Sequence, residues 1–78
     1  MHHISERERA RRAAQRLLSM QELRTGKGIS YSRPHLFRLI KAGKFPRPVK
    51  LGENRNAWIE GEVDQWIEER IAERGEAA

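Results

Sequence analysis

Residues 32–58 read SRPHLFRLIKAGKFPRPVKLGENRNAW, and the way this run is divided decides the fold. Ser32 has the side chain of a helix N-cap, and Pro34 in the first turn sacrifices no intrahelical hydrogen bond. The spacing predicts a helix from Arg33 to about Ala42, with Gly43 as its C-terminal stop. At 100° per residue, Leu36, Phe37, Leu39 and Ile40 fall within an arc of about 160°. Pro34, His35, Arg38, Lys41 and Ala42 occupy the other side. The helix therefore has a core face and a small basic face centred on Arg38, with Arg33 at its open end.

After Gly43 the pattern changes. Pro46 and Pro48 keep the chain extended. Val49 and Leu51 alternate with Lys50 as in a strand, and Gly52-Glu53-Asn54-Arg55 has turn chemistry. Trp58 lies on the returning strand. An isolated hairpin is marginal in water, so this one must pack on something. The expectation is that Val49, Leu51 and Trp58 hold it to the helices, leaving Lys50 through Asn56 on the polar side. Leu17 and Leu18 offer a further short strand.

Upstream, Ser19-Met20-Gln21-Glu22 forms a capping box that opens a short helix burying Met20 and Leu23. Gly26 and Gly28 are expected to break it. Downstream, Glu60 to about Arg74 reads as a helix with Val63, Trp66, Ile67 and Ile71 on one face. Glu60, Glu62 and Asp64 suit its positively polarised start. Residues 5–16, SERERARRAAQR, carry another capping box at Ser5 and Glu8 and an apolar stripe of Ala10, Ala13, Ala14 and Leu17. Two readings of this arginine-rich segment stand: a solvated arm, or a helix that contacts a partner or phosphates.

The chain has 78 residues, 35% of them charged, and a net charge of +5 that is unevenly spread. Residues 1–18 hold five arginines against two glutamates (+3), and residues 19–58 hold nine Lys/Arg against Glu22 and Glu53 (+7). Residues 59–78 hold two arginines against seven acids (−5). A basic centre points to a polyanionic partner. The order helix, turn, helix, hairpin, helix predicts a mainly α protein with a small β-hairpin, a winged helix-turn-helix spanning 16–74. Residues 1–15 form its basic arm and 75–78 a tail. The second helix would enter the major groove, where base pairs are distinguishable, and the hairpin would be the wing. Arg55 between two asparagines is the tip residue suited to a narrow minor groove.

Other classes fit less well. The chain contains no cysteine, which excludes disulfides and cysteine-based zinc sites. Adjacent His2 and His3 lack further ligands, and His35 stands apart from them. No cofactor is expected, and no catalytic set or phosphate-binding glycine loop supports an enzyme. RNA binding lacks a free aromatic platform, because the core claims both tryptophans. No apolar run approaches the roughly 18 residues of a membrane span, and no signal-peptide core is present. A cytoplasmic, nucleoid-associated protein without membrane contact is the expectation. A protein-interaction module whose basic face meets an acidic partner remains the alternative.

SRPHLFRLIKAGKFPRPVKLG, with Trp58 and EVDQWIEERIAER behind it, resembles the AlpA family of small prophage-type regulators. That family in turn resembles phage excisionases and the DNA-binding domain of MerR-like proteins. The resemblance covers residues 16–74 and implies a compact winged helix. It also implies control of mobile-element genes, or excision of an integrated element as a recombination directionality factor. Matched residues are Ser32, Arg33, His35 and Arg38 in the recognition helix and Lys50 to Asn56 in the wing. The candidate DNA contacts are thus Tyr31, Ser32, Arg33, Pro34, His35, Arg38 and Lys41, with Arg47, Lys50, Asn54, Arg55 and Asn56. The turn TGKGISYS is longer than the common family form, which shifts Tyr31 toward DNA. Pro34 and His35 replace small hydroxyl residues. Expected partners are double-stranded DNA at promoter or attachment-site repeats, further copies in a head-to-tail array, and an integrase.

Overall fold

The computed structural model describes residues 16–77. In chain order these form β1 (Leu17–Leu18), α1 (Met20–Lys27), α2 (Arg33–Lys41), β2 (Val49–Gly52), β3 (Arg55–Ile59) and α3 (Glu60–Ala77). Among the described residues, three helices and one small antiparallel sheet, ordered β1-β3-β2, make a winged helix-turn-helix. The Ser5–Glu8 box, the alanine stripe and the His2/His3 pair lie outside the described residues.

Local signals account for the helix ends. The Ser19 hydroxyl accepts from the Glu22 N–H at 3.0 Å, and Glu22 Oε1 accepts from the Ser19 N–H at 2.9 Å. Both halves of the capping box are therefore made, and each satisfies a donor the helix leaves free. Ser19→Ala should destabilise the fold by about 1 kcal/mol, readable as a lower urea midpoint at unchanged m-value. As expected, α1 ends in the Arg24–Gly28 stretch; it runs through Gly26 and stops at Gly28. That glycine is left-handed (φ 72°), and its N–H bonds the Arg24 and Leu23 carbonyls. A glycine inside a helix only weakens it, whereas one in the left-handed region ends it. In α2 the Ser32 hydroxyl accepts from the His35 N–H at 3.3 Å. Gly43 closes that helix at φ 74°.

The core is Leu18, Leu23, Leu36, Phe45, Trp58 and Val63, ringed by partly buried Met20, Ile29, Tyr31, Phe37, Leu39, Ile40, Trp66 and Ile67. Trp58 is 0% exposed and is the largest fully buried side chain. Phe45, between α2 and the wing, sets its ring against both indoles at centroid distances of 6.4 Å (Trp58) and 4.9 Å (Trp66). Trp58 Nε1 donates to the Pro46 carbonyl at 3.0 Å, and Trp66 Nε1 donates to the Lys44 carbonyl at 2.7 Å. The Lys44-Phe45-Pro46 strap is thus clamped by two indoles and one phenyl ring. That clamp fixes the angle at which the hairpin leaves α2.

The register of the sheet corrects one expectation. Leu18 pairs with Trp58, and Leu17 pairs with Ile59. Val49 stands opposite Ala57, not Trp58. Side chains alternate along a strand, so Val49 lies on the Ala57 face of the sheet and not on the Trp58 face. Val49 is 37% exposed and Leu51 54% exposed, and neither holds the hairpin to the helices. Trp58 and Ala57 are the buried residues of the hairpin, and Leu18 pairs with Trp58. The hairpin turns through Glu53 and Asn54, with a register irregularity between Lys50 and Gly52. A bulge there bends the strand and leaves Leu51 outside the ladder.

The last helix also differs from expectation. Val63 is buried, but Ile71 is 45% exposed because α3 continues past the end of the core. At 1.5 Å per residue an 18-residue helix is about 27 Å long, more than so small a core can cover. Its start is tied to α1: Lys27 Nζ lies 3.1 Å from Glu60 and 2.8 Å from Asp64. Those carboxylates hold the Lys27 ammonium above its ordinary value of 10.5, Asp64 more than Glu60. The stabilisation is therefore present at neutral pH and fades only as alkaline pH passes the raised value.

Candidate nucleic-acid interface

The loop between α1 and α2 is tied back to α1. Ile29 N–H bonds the Leu23 carbonyl at 2.9 Å, which pins the loop to α1. Tyr31 is partly buried, its ring 4.9 Å from His35 and edge-on to Trp66 at 6.4 Å. Tyr31 and His35 therefore support each other on the flank of α2. Pro34, Arg38 and Lys41 are exposed along its free side. Ser32 is exposed too, with its oxygen engaged as the cap.

Arg33 turns the other way. Its guanidinium carbon sits 5.2 Å above the Phe37 ring, a cation–π arrangement that steadies the side chain. From there it faces the wing. Arg33, Asn54, Arg55 and Asn56 line one groove, whose floor is Leu17, Ala57 and Trp58 and whose far wall is the start of α1 at Ser19, Met20 and Glu22. The helix N-terminus and the wing tip, distant in sequence, thus share one concavity. Asn54 and Arg55 are exposed and Asn56 half-buried.

Lys50 lies opposite Asn56 in the ladder and is exposed. Arg47 is not brought into this groove. It lines a separate concavity with Lys44, Glu62, Glu69 and Glu73 at the base of the wing and along α3.

Charge within the groove is graded. Arg33 and Arg55 stand at its sides, and Glu22 on the α1 wall is the acidic member. The Ser19 backbone N–H first, then its hydroxyl and Arg16 (3.2 Å away), hold the Glu22 carboxyl below its ordinary 4.5. A depressed carboxyl stabilises above its unfolded value and loses that contribution as pH falls through the folded one. Glu22→Gln should therefore lower the melting temperature at neutral pH. Its difference from the parent should shrink as the solution is acidified, as followed by circular dichroism.

Sequence reasoning missed three participants. Ser19 and Met20 border the groove although they were read only as helix-start and core residues. Lys27 clasps α3 and so fixes the two halves of the molecule; Glu60 and Asp64, four apart on one helix face, were the available signal. Among the described residues, no cluster of three or more His, Asp or Glu side chains could hold a metal ion, and no helix is long and apolar enough to cross a membrane.

A family model described as prophage CP4-57 regulatory protein (AlpA) matches residues 16–71, from β1 into α3. Among curated proteins, the uncharacterized protein ORF88 of Enterobacteria phage P4 is 44% identical over 43 residues. That alignment covers 55% of this chain and 49% of the relative, so the chain spans about half of the relative's length. No solved structure matches the chain significantly.

Proposed function

The chain belongs to the AlpA family of prophage regulatory proteins, and from that premise we propose that it binds specific double-stranded DNA sites of a mobile element. The observation that carries the reading is the shared groove, in which Arg33 at the start of the recognition helix faces Asn54, Arg55 and Asn56 of the wing. Arg38 and Lys41 on the free side of α2 read base edges and neighbouring phosphates in the major groove. Ser32, Pro34, His35 and Tyr31 shape the entry of that helix. Arg55 inserts at the adjacent minor groove, and Lys50 and Arg47 meet phosphate.

Bound at repeated sites, the protein regulates transcription of the element, or bends DNA as an excisionase so that an integrase favours excision. Each copy offers few contacts, so adjacent copies cooperate on a multi-site DNA. These tasks place it in the cytoplasm, on the nucleoid.

Lys50→Ala should weaken binding to all DNA alike and flatten the slope of log K against log salt by about 1. Fluorescence anisotropy on specific and random duplexes over a salt series measures both. A protein-interaction module would instead show little salt-dependent DNA affinity. The output is decided by paired cell assays, excision of the element and promoter activity, each with and without the protein. Loss of excision with an unchanged promoter identifies an excisionase, and the converse a transcriptional regulator.

A further inference from the structure

The inner face of α3 changes character along its length. At about 100° per residue, Val63, Trp66 and Ile67 share an arc of about 100°, and Arg70 and Arg74 fall inside that same arc. Val63 is buried and Trp66 and Ile67 are half-buried, whereas Arg70, Ile71 and Arg74 are exposed. The helix has outrun the core by then, so the face that is apolar in its first half is basic in its second. Arg70 and Arg74 are the two basic residues of 59–78, against seven acids. Glu62, Glu69 and Glu73 line the concavity at the base of the wing instead.

This basic overhang stands beside one flank of α2. Tyr31, Trp66, Ile67, Arg70, Ile71 and Arg74 line a single concavity, and the Tyr31 ring there lies 4.9 Å from His35 of α2. Arg70 is held in place, its guanidinium carbon 5.4 Å from the Trp66 ring centroid and Nη2 2.9 Å from Glu73. Glu73 offsets part of that charge, which leaves Arg74, one turn on, as the leading cation. His35 and Arg33 are two residues apart and so about 160° apart around α2. Arg33 faces the wing. The free side of α2, with Arg38 and Lys41, therefore lies between a basic wing on one flank and the basic end of α3 on the other.

A duplex presents the matching pattern: base edges at the floor of a major groove about 12 Å wide, with a phosphate backbone along each border. We propose that Arg74, with Arg70 behind it, binds phosphates of the backbone that borders the major groove on the side away from the wing, with Tyr31 and Ile71 against the deoxyribose. The inference rests on the DNA-binding reading and adds to it a contact from α3. The guanidinium fork suits phosphate oxygens, and such contacts position a protein on its site without reading sequence. Held by the wing on one border and by α3 on the other, α2 cannot roll in the groove.

Arg74 is exposed and lies in the last turn of α3, so Arg74→Ala leaves the core intact, as circular dichroism checks. Fluorescence anisotropy over a salt series compares it with the parent on a random-sequence duplex and on a duplex enriched by the parent from a random pool. The expected result is binding about fivefold weaker on both at about 0.15 M salt, with the slope of log K against log salt reduced by about 1. Arg74→Lys should recover most of that slope. Phosphate-ethylation interference on the enriched duplex should show phosphates that matter to the parent and to Lys50→Ala but not to Arg74→Ala. Binding by Arg74→Ala equal to the parent's would overturn this proposal and leave the DNA-binding reading standing, whereas a parent without salt-dependent DNA affinity would overturn both. Loss of cooperativity with unchanged affinity for a single site would overturn the proposal by assigning the arginines to a neighbouring copy. Interference lost at the same phosphates in Arg74→Ala and Lys50→Ala would overturn it by placing both residues on one strand.

Discussion

Trp58→Ala is expected to destabilise the protein by about 3–5 kcal/mol, the range for truncating a buried large aromatic side chain. A chain of this size has a total stability of about 4–12 kcal/mol, so the variant should lose about a quarter of it or more. The structure gives three reasons for so large an effect. The indole is fully buried, its ring lies 6.4 Å from both Phe37 and Phe45, and its N–H satisfies the Pro46 carbonyl. Removing it would open a cavity where α2, the strap and the hairpin meet. Trp58→Phe separates the contributions: it keeps a ring and loses the hydrogen bond, at about 1 kcal/mol for that bond. Urea unfolding of the three proteins, followed by circular dichroism, should give midpoints in the order parent, Phe, Ala. A well-folded Trp58→Ala protein that has lost only DNA binding would contradict the structural role given to this residue.

Arg38→Ala is the second large effect, and it falls on binding instead of folding. Arg38 is exposed on the free side of α2, so its truncation should change stability by no more than about 0.5 kcal/mol. If its guanidinium reads a base edge, specific binding should weaken by about 1–3 kcal/mol while binding to random DNA changes little. Lys50→Ala gives the opposite signature, a uniform loss with a flatter salt dependence. The contrast matters more than either number, because a merely electrostatic surface would make the two variants alike. Equal losses on specific and random duplexes for Arg38→Ala would remove the base-reading assignment.

The parts of this fold that were legible in the sequence are those governed by neighbours within one turn. Ser19 with Glu22, Ser32 with Pro34, and Gly43 after Ala42 each specify a helix end through bonds spanning three or four residues, and each end falls where those residues put it. The apolar arc of Leu36, Phe37, Leu39 and Ile40 named the inner face of α2 in the same way. Trp58 was recognisable as core because so small a domain has few other large side chains.

What escaped was set by distant partners. Alternation marked Val49 and Leu51 as strand residues but carried no information on which residue of β3 would stand opposite. One step of register sends both to solvent. The glycine pair marked the stretch that ends α1, and the left-handed Gly28 is the residue that caps it. Ile71 kept a helical spacing that the core is too short to use.

The candidate site divides along the same line. Exposure of Arg38 and Lys41 followed from the helical wheel. The meeting of Arg33 with Asn54–Asn56 depends on the wing angle, which the two indole hydrogen bonds to Lys44 and Pro46 determine. Nothing local to the sequence specifies those bonds. His35 appeared on the free arc of the wheel, yet Tyr31 folds against it from a loop whose path the wheel cannot give.

The central claim, that the recognition helix and wing together read duplex DNA, is tested most directly by selection from a random double-stranded pool. The parent, Arg38→Ala and Arg55→Ala would be carried through the same rounds, followed by hydroxyl-radical footprinting on the enriched duplex. The account predicts a defined motif for the parent, loss of information at major-groove positions for Arg38→Ala, and loss of protection confined to the flanking minor groove for Arg55→Ala. No enrichment by the parent, or one motif and footprint common to all three proteins, would contradict it.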